Sequence, residues 1–201
     1  MKNKKIILAS ASPRRKELLA QIGIDFEVRP SHAEEVTTGT RPAEIVMDLS
    51  RLKAADIFGK LTEEEKQEII VIGSDTVVAL DGEILGKPKD EADSTRMLSA
   101  IQGREHQVYT GVSLFWMDTE TKEEKETVFF EETWVEVYPM TREEIKRYQS
   151  ANNCLDKAGS YGIQDGFAAH IKCINGDYNN VVGLPIGRLY QEMKKLGISN
   201  S

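Results

Sequence analysis

Apolar residues recur along this chain in two rhythms, one of short unbroken runs and one of helical spacing. The run Ile6-Ile7-Leu8-Ala9 predicts a buried strand. Pro13 to Ile22 then reads as a helix with Leu18, Leu19 and Ile22 inward, stopped by Gly23, and Asp25 to Arg29 as a second short strand. Pro42 opens a longer helix carrying Ile45, Val46, Leu49, Leu52 and Ile57, which Gly59 closes. Ile69 to Gly73 and Thr76 to Leu80 form a buried strand interrupted at Gly73-Ser74-Asp75 and turned at Asp81-Gly82 into a hairpin.

The second half changes character. Asp90 to Ile101 predicts a helix, followed by two long strands near Gln107 to Trp116 and Thr127 to Tyr138, joined by the charged tip Asp118 to Glu126. Thr141 and Glu144 form a capping-box pattern at the head of a helix reaching Gln149. A strand near Ala168 to Ile174, a turn at Asn175-Gly176-Asp177 and a helix from about Pro185 to Leu196 end the series. Alternating elements followed by adjacent long strands imply an α/β fold around a mixed, strongly twisted sheet flanked by helices. With no repeat, low-complexity tract or linker, residues 1–201 read as one folding unit with two lobes around a cleft.

Composition narrows the classes. A chain of 201 residues is long enough to bury roughly 70% of the surface its unfolded form exposes, without a disulfide staple. Cys154 and Cys173 lack CxxC spacing, and His32, His106 and His170 are scattered, so a zinc site is not expected and reduced thiols are. The net charge of −7, from 33 acidic against 26 basic residues, repels nucleic acid and anionic membranes. Any phosphate site must be a local basic cluster. The start Met1-Lys2-Asn3-Lys4-Lys5 before Ile6 resembles a signal peptide only faintly, because the apolar stretch is short and Pro13-Arg14-Arg15-Lys16 ends it. A cytoplasmic protein without membrane or nucleic-acid partners is expected, with Glu63-Glu64-Glu65 as a solvated face.

Such a cluster is present. Ser10-Ala11-Ser12-Pro13-Arg14-Arg15 carries an apolar strand into a helix start, where Ser12 can cap, Pro13 suits the first turn, and free amides and two guanidiniums favour a polyphosphate. A capped surface helix with solvated arginines accounts equally well for this segment alone. Asp75 is a carboxylate among β-branched residues, expensive to bury without a partner, a metal or a task. Gly82, Gly86 and Lys87 are one residue short of a P-loop, and Pro88 replaces its Ser or Thr, which excludes a Walker motif. The loop Asp156 to Gln164 is punctuated by glycines, and Gln164 can offer a donor and an acceptor to a base edge. Glu35 and Lys53 carry little signal singly. Together these residues form an inventory suited to phosphoanhydride hydrolysis assisted by a hard divalent cation.

The chain resembles the Maf family of nucleoside triphosphate pyrophosphatases, a group associated with septum formation. The resemblance rests on Leu8 to Arg15 with Glu17-Leu18-Leu19, on Leu49 to Ala54, on Ser74 to Val78 and on Gly86-Lys87-Pro88. It continues through His106 to Val112, Asp156 to Gln164, Gly176-Asp177-Tyr178 and Val182 to Pro185. It implies cleavage of a nucleoside triphosphate to monophosphate and pyrophosphate, often in a homodimer, with Mg²⁺ or Mn²⁺. By that resemblance Asp75 is the proton acceptor, and Glu35 and Asp75 are the metal carboxylates. Ser10, Arg14, Arg15, Lys53, Thr76, Lys87 and Gln164 bind substrate, and Arg14, Thr76 and Gln164 bear on its choice. The Lys157 to Gln164 segment resembles the branch acting on dTTP and UTP rather than the one acting on 7-methyl-GTP. Asp165 departs from the usual glycine, and Glu34 stands beside Glu35 where Asp-Glu is common; register favours Glu35 for the metal. The rival expectation, a non-catalytic nucleotide-binding or division-regulating module, differs in releasing no pyrophosphate.

Overall fold

The computed structural model describes residues 4–197, so Met1 to Asn3 of the basic start lie outside the described residues, as do 198–201. The chain runs through β1 (Lys5–Leu8), α1 (Pro13–Gln21), β2 (Phe26–Val28), α2 (Pro42–Gly59) and α3 (Glu63–Glu68) into the long strand β3 (Ile69–Leu80). Then come β4 (Glu83–Leu85), α4 (Glu91–Ile101), β5 (Glu105–Met117), β6 (Glu124–Val137) and α5 (Arg142–Ala151). After two short 3-10 turns, β7 (Ile171–Asn175), α6 (Tyr178–Val182) and α7 (Ile186–Lys195) follow. Among the described residues no helix is long and apolar enough to cross a membrane.

The seven strands make one mixed sheet in the order β2-β1-β3-β5-β6-β7, with β4 added to β3. β1 is parallel to β2 and β3, whereas β3, β5, β6 and β7 are antiparallel in succession. This is the α/β fold that the pattern of elements implied. The feature that creates a site lies along β3. One edge of β3 is paired with β5 from Ile70 to Ala79. The other edge carries β1 against Ile69 to Ile72 and β4 against Val78 to Leu80. Between them, residues 73–77 have no strand partner on that side among the described residues, and the sheet stands open there.

The expected interruption at Gly73-Ser74-Asp75 is therefore a break in the neighbours and not in the strand. Gly73 is required by packing: a Cβ there would lie 2.2 Å from the Ser50 carbonyl oxygen, and one at Gly111 2.1 Å from that of Val46. α2 thus rests directly on the backbone of β3 and β5. Its buried face is Val46, Leu49, Ser50, Ala54, Ile57 and Phe58, so small Ser50 and Ala54 occupy the inward stripe, and Ile45 and Leu52 are only half-buried. With Ile7, Ala9, Leu61, Ile69 and Val71 this helix forms a minor core. The major core lies on the opposite face, under α1, α4, α5 and α7, with Leu19, Leu98, Ile145 and Leu189 among its members. Burial of each such side chain contributes about 1.5–3 kcal/mol.

Three further departures have local causes. β7 begins at Ile171 because Asp165 caps a 3-10 turn over Gly166–His170, its carboxylate accepting from the Phe167 N–H. The segment Tyr178–Val182 forms a helix because Asp177 caps it through the Asn179 N–H. The acidic run heads the short helix α3, where Glu63 and Glu64 are solvated as expected while Glu65 joins a capping box with Thr62.

Candidate active site

A cleft of about 670 Å³ opens at the break beside β3 and is lined by all nine candidate residues: Ser10, Arg14, Arg15, Glu35, Lys53, Asp75, Thr76, Lys87 and Gln164. Its floor consists of strand and helix residues. Asp75 and Gly73 point to the α2 side of β3, and Gly111 is the residue opposite Asp75 on β5. The close seat of α2 on those glycines brings Lys53 to the carboxylate: Lys53 Nζ lies 2.6 Å from Asp75 Oδ1 and 2.8 Å from Glu35 Oε1. Asp75 therefore has a partner, unlike the lone carboxylate its sequence surroundings suggest. The Lys53 hydrogen bond holds the Glu35 carboxyl below its ordinary range, against the opposing effect of partial burial. Glu34 does not line the cleft.

Arg15 is the second fixed element. Its Nε donates to the Gly183 carbonyl at 2.8 Å, Nη1 to Ser10 Oγ at 3.2 Å, and Nη2 to Thr76 Oγ1 at 3.0 Å. Three of five guanidinium donors are used, leaving two hydrogens for a ligand. Burial pulls the group below its usual range and Asp75 opposes that pull; an arginine remains charged throughout. Ser12 stands at the N-cap position without a side-chain capping bond. Ser10 Oγ accepts instead from the Ser12 N–H at 3.3 Å and from Arg15, which ties the residue before the helix and not its first turn.

The rim is looser. Arg14, next to Arg15, pairs among the described residues with Asp156, its Nη1 3.5 Å from Oδ2. Lys87 and Gln164 are exposed. The loop bearing Gln164 is nevertheless anchored beneath. Tyr148 Oη donates to Asp165 at 3.0 Å and accepts from the Gly162 N–H at 3.1 Å, so the departure at Asp165 fastens the loop to α5. Tyr161, which lines the cleft, bonds Nε2 of the buried His106 at 2.8 Å. Asp156, Lys157, Tyr161 and Gly183 also line the site. The first three lie in the glycine-punctuated loop and Gly183 in the Val182 to Pro185 segment of the family resemblance, neither of which singles them out as individual residues.

The arrangement joins a buried carboxylate to a cluster of cations at the mouth of a sheet, which is a setting for anionic, charge-dense ligands. Comparison with known proteins agrees. A family model described as Maf-like protein matches residues 5–196. The chain is 56% identical over 201 residues to the dTTP/UTP pyrophosphatase of Agathobacter rectalis, covering 96% of this chain and 98% of that protein. It is 49% identical over 193 residues to that of Lachnoclostridium phytofermentans, with 96% and 95% covered. For Carboxydothermus hydrogenoformans the identity is 46% over 193 residues, with 96% and 99% covered. With matches that span both flanks of the cleft and nearly the full length of each relative, the chain belongs to the Maf family.

Proposed function

We propose that the chain hydrolyses nucleoside triphosphates, dTTP and UTP foremost, to the monophosphate and pyrophosphate. The observation that carries this reading is Asp75, buried at the cleft floor beside Lys53, with Arg15, Thr76 and Lys87 lining the same cleft. A triphosphate in the cleft would meet Arg14, Arg15 and Lys87, which neutralise its charge, Arg15 from a guanidinium already held in place. Asp75 would take the proton of the water that attacks the α-phosphorus, while pyrophosphate leaves toward the cationic rim. Lys53 keeps that carboxylate oriented through the 2.6 Å contact of its Nζ. The names of the relatives, dTTP/UTP pyrophosphatase, support both the reaction and the pyrimidine preference.

A divalent cation fits this donor set. Glu35 and Asp75 both aim hard oxygen donors at one cation, Lys53 Nζ, and Mg²⁺ or Mn²⁺ favours such oxygens together with phosphate. No group of three His, Cys, Asp or Glu side chains gathers among the described residues, so substrate oxygens and water would complete the shell. When bound, the ion would offset phosphate charge and lower the pKa of a coordinated water. All nine candidate residues line one cleft within a single chain, and residues 1–201 would work as one unit.

The test is a panel of dTTP, UTP, dCTP, ATP, GTP and 7-methyl-GTP with separate detection of pyrophosphate and orthophosphate, with and without excess EDTA. Pyrophosphate is expected, fastest from dTTP and UTP, abolished by EDTA and restored by Mg²⁺ or Mn²⁺. Orthophosphate as the product, or nucleotide bound without turnover, would overturn the reaction. Full activity in EDTA after metal-free purification would remove the metal from it.

A further inference from the structure

Thr110 lies on β5 opposite Thr76 of β3 and is fully buried. Its Oγ1 is 2.9 Å from Thr76 Oγ1 and 2.9 Å from the Asn180 carbonyl oxygen. A carbonyl can only accept, so the single hydrogen of Thr110 goes to Asn180. Thr110 must then accept from Thr76, which commits the single hydrogen of Thr76 as well. Arg15 Nη2 has only hydrogens to offer and takes one of the two lone pairs on Thr76. One arrangement satisfies every contact, with Arg15 donating to Thr76, Thr76 to Thr110 and Thr110 to Asn180.

The far end of that chain does not move freely. Asn180 is fully buried and its Nδ2 donates to the Val108 carbonyl and to Thr133 Oγ1, both at 2.9 Å. Hydrogen bonds aligned in one direction polarise each other and hold that direction. The near end is open. Thr76 is half-buried and lines the cleft, and Gly183 with φ of +125° leaves room beside it, since a Cβ there would lie 3.5 Å from Thr76 Oγ1. What Thr76 presents to the cleft is therefore one lone pair and no hydrogen.

We propose that Thr110 is a positioning residue that fixes Thr76 as an acceptor, so that Thr76 selects nucleotides bringing an N–H or O–H donor to it. This rests on the reading of the chain as a nucleoside triphosphate pyrophosphatase. Thymine and uracil nucleotides carry such donors at the ring N3–H and at the sugar hydroxyls, of which dTTP has only the 3′-hydroxyl. Cytosine has a lone pair at N3 and its donor one atom away at the N4 amino group, so in the pose that serves thymine and uracil it would set acceptor against acceptor. A site whose buried polar group is left unpaired rejects the wrong ligand.

The experiment measures kcat/KM for dTTP, dCTP and 3′-deoxy-dTTP on the wild type, Thr110→Val and Thr110→Ser, with a thermal melt of each protein. Valine removes the acceptor for the Thr76 hydrogen, which then becomes available to the ligand. Wild type is expected to favour dTTP over one analogue by about three- to tenfold or more, the size of one hydrogen bond. That preference should collapse in Thr110→Val and persist in Thr110→Ser. Movement of the dCTP ratio assigns the ring N–H, and movement of the 3′-deoxy ratio assigns the sugar hydroxyl. A folded Thr110→Val protein with both ratios unchanged overturns the proposal. So does a wild type that handles all three nucleotides equally, which needs no variant. Absence of pyrophosphate from every nucleotide with wild type would overturn the hydrolase reading itself, and this proposal with it.

Discussion

Arg14 and Arg15 are neighbours on α1, yet one belongs to the rim of the cleft and the other to its floor. Arg15 is fixed by three hydrogen bonds from β1's exit, β3 and the turn after α6. Arg14 has one long ion pair with a half-exposed aspartate. The same division runs through the site: Asp75, Thr76 and Lys53 are held by partners, whereas Lys87 and Gln164 are exposed. Floor residues meet a ligand with their geometry already set, and rim residues must give up rotamer freedom to do so. Substitution at the floor should therefore affect the reaction and the fold together, and substitution at the rim mainly affinity and choice of ligand.

The sharpest way to break this division is Asp75→Asn. It keeps the shape of the floor but removes both the base and the anionic partner of the largely buried Lys53 ammonium, so pyrophosphate release should fall by about 10²- to 10⁴-fold and the melting temperature should fall with it. A variant turning over near the wild-type rate would take the chemistry away from the floor. Next in size is a pH effect under the loop that carries Gln164. Burial pulls His106 down to about 4, from an ordinary value of 6.5. The unfolded chain then binds more protons between those values, so stability is full above about pH 6.5 and lost as pH falls toward 4, by about 3 kcal/mol. Denaturant titrations should find that slope in wild type and a flatter one in His106→Asn. An equal slope in both would place the titrating group elsewhere.

The smallest effect compares the two arginines directly. A lysine at position 15 cannot reproduce a fork that reaches Gly183, Ser10 and Thr76, so Arg15→Lys should cost about 1–3 kcal/mol of stability and lower turnover. Arg14→Lys should cost less than about 1 kcal/mol and change KM by less than about fivefold. Denaturation midpoints and steady-state kinetics on the pair would decide. Identical behaviour would erase the distinction between floor and rim.

Much of this was legible in the sequence because short motifs mark the points where strands run out. The nine candidate residues fall in six segments; the alternation of elements sufficed to predict a mixed sheet, and the resemblance to the Maf family supplied their assignment to one site. What stayed hidden depended on contacts between distant segments. Gly73-Ser74-Asp75 has the composition of a turn, and only the packing of α2 shows that the glycine serves a close approach. The Lys53 to Asp75 pair joins residues 22 apart and requires that same packing. Arg14 and Arg15 look alike as letters, since the helical rotation that separates them acts only once α1 has a sheet to face. The expected cap at Ser12 is missing while Ser10 gains a guanidinium partner that no local rule supplies.

The seat of α2 on Gly73 and Gly111 has a mechanical meaning. Helix and sheet touch through main-chain atoms, which have no rotamers with which to adjust, so the gap between the ammonium of Lys53 and the carboxylate of Asp75 is gauged by backbone thickness. Core side chains elsewhere can repack around a change of volume. A single methyl at either glycine would instead act as a wedge, tilting the helix that bears Lys53 off its seat and widening a 2.6 Å contact from the far side of the element.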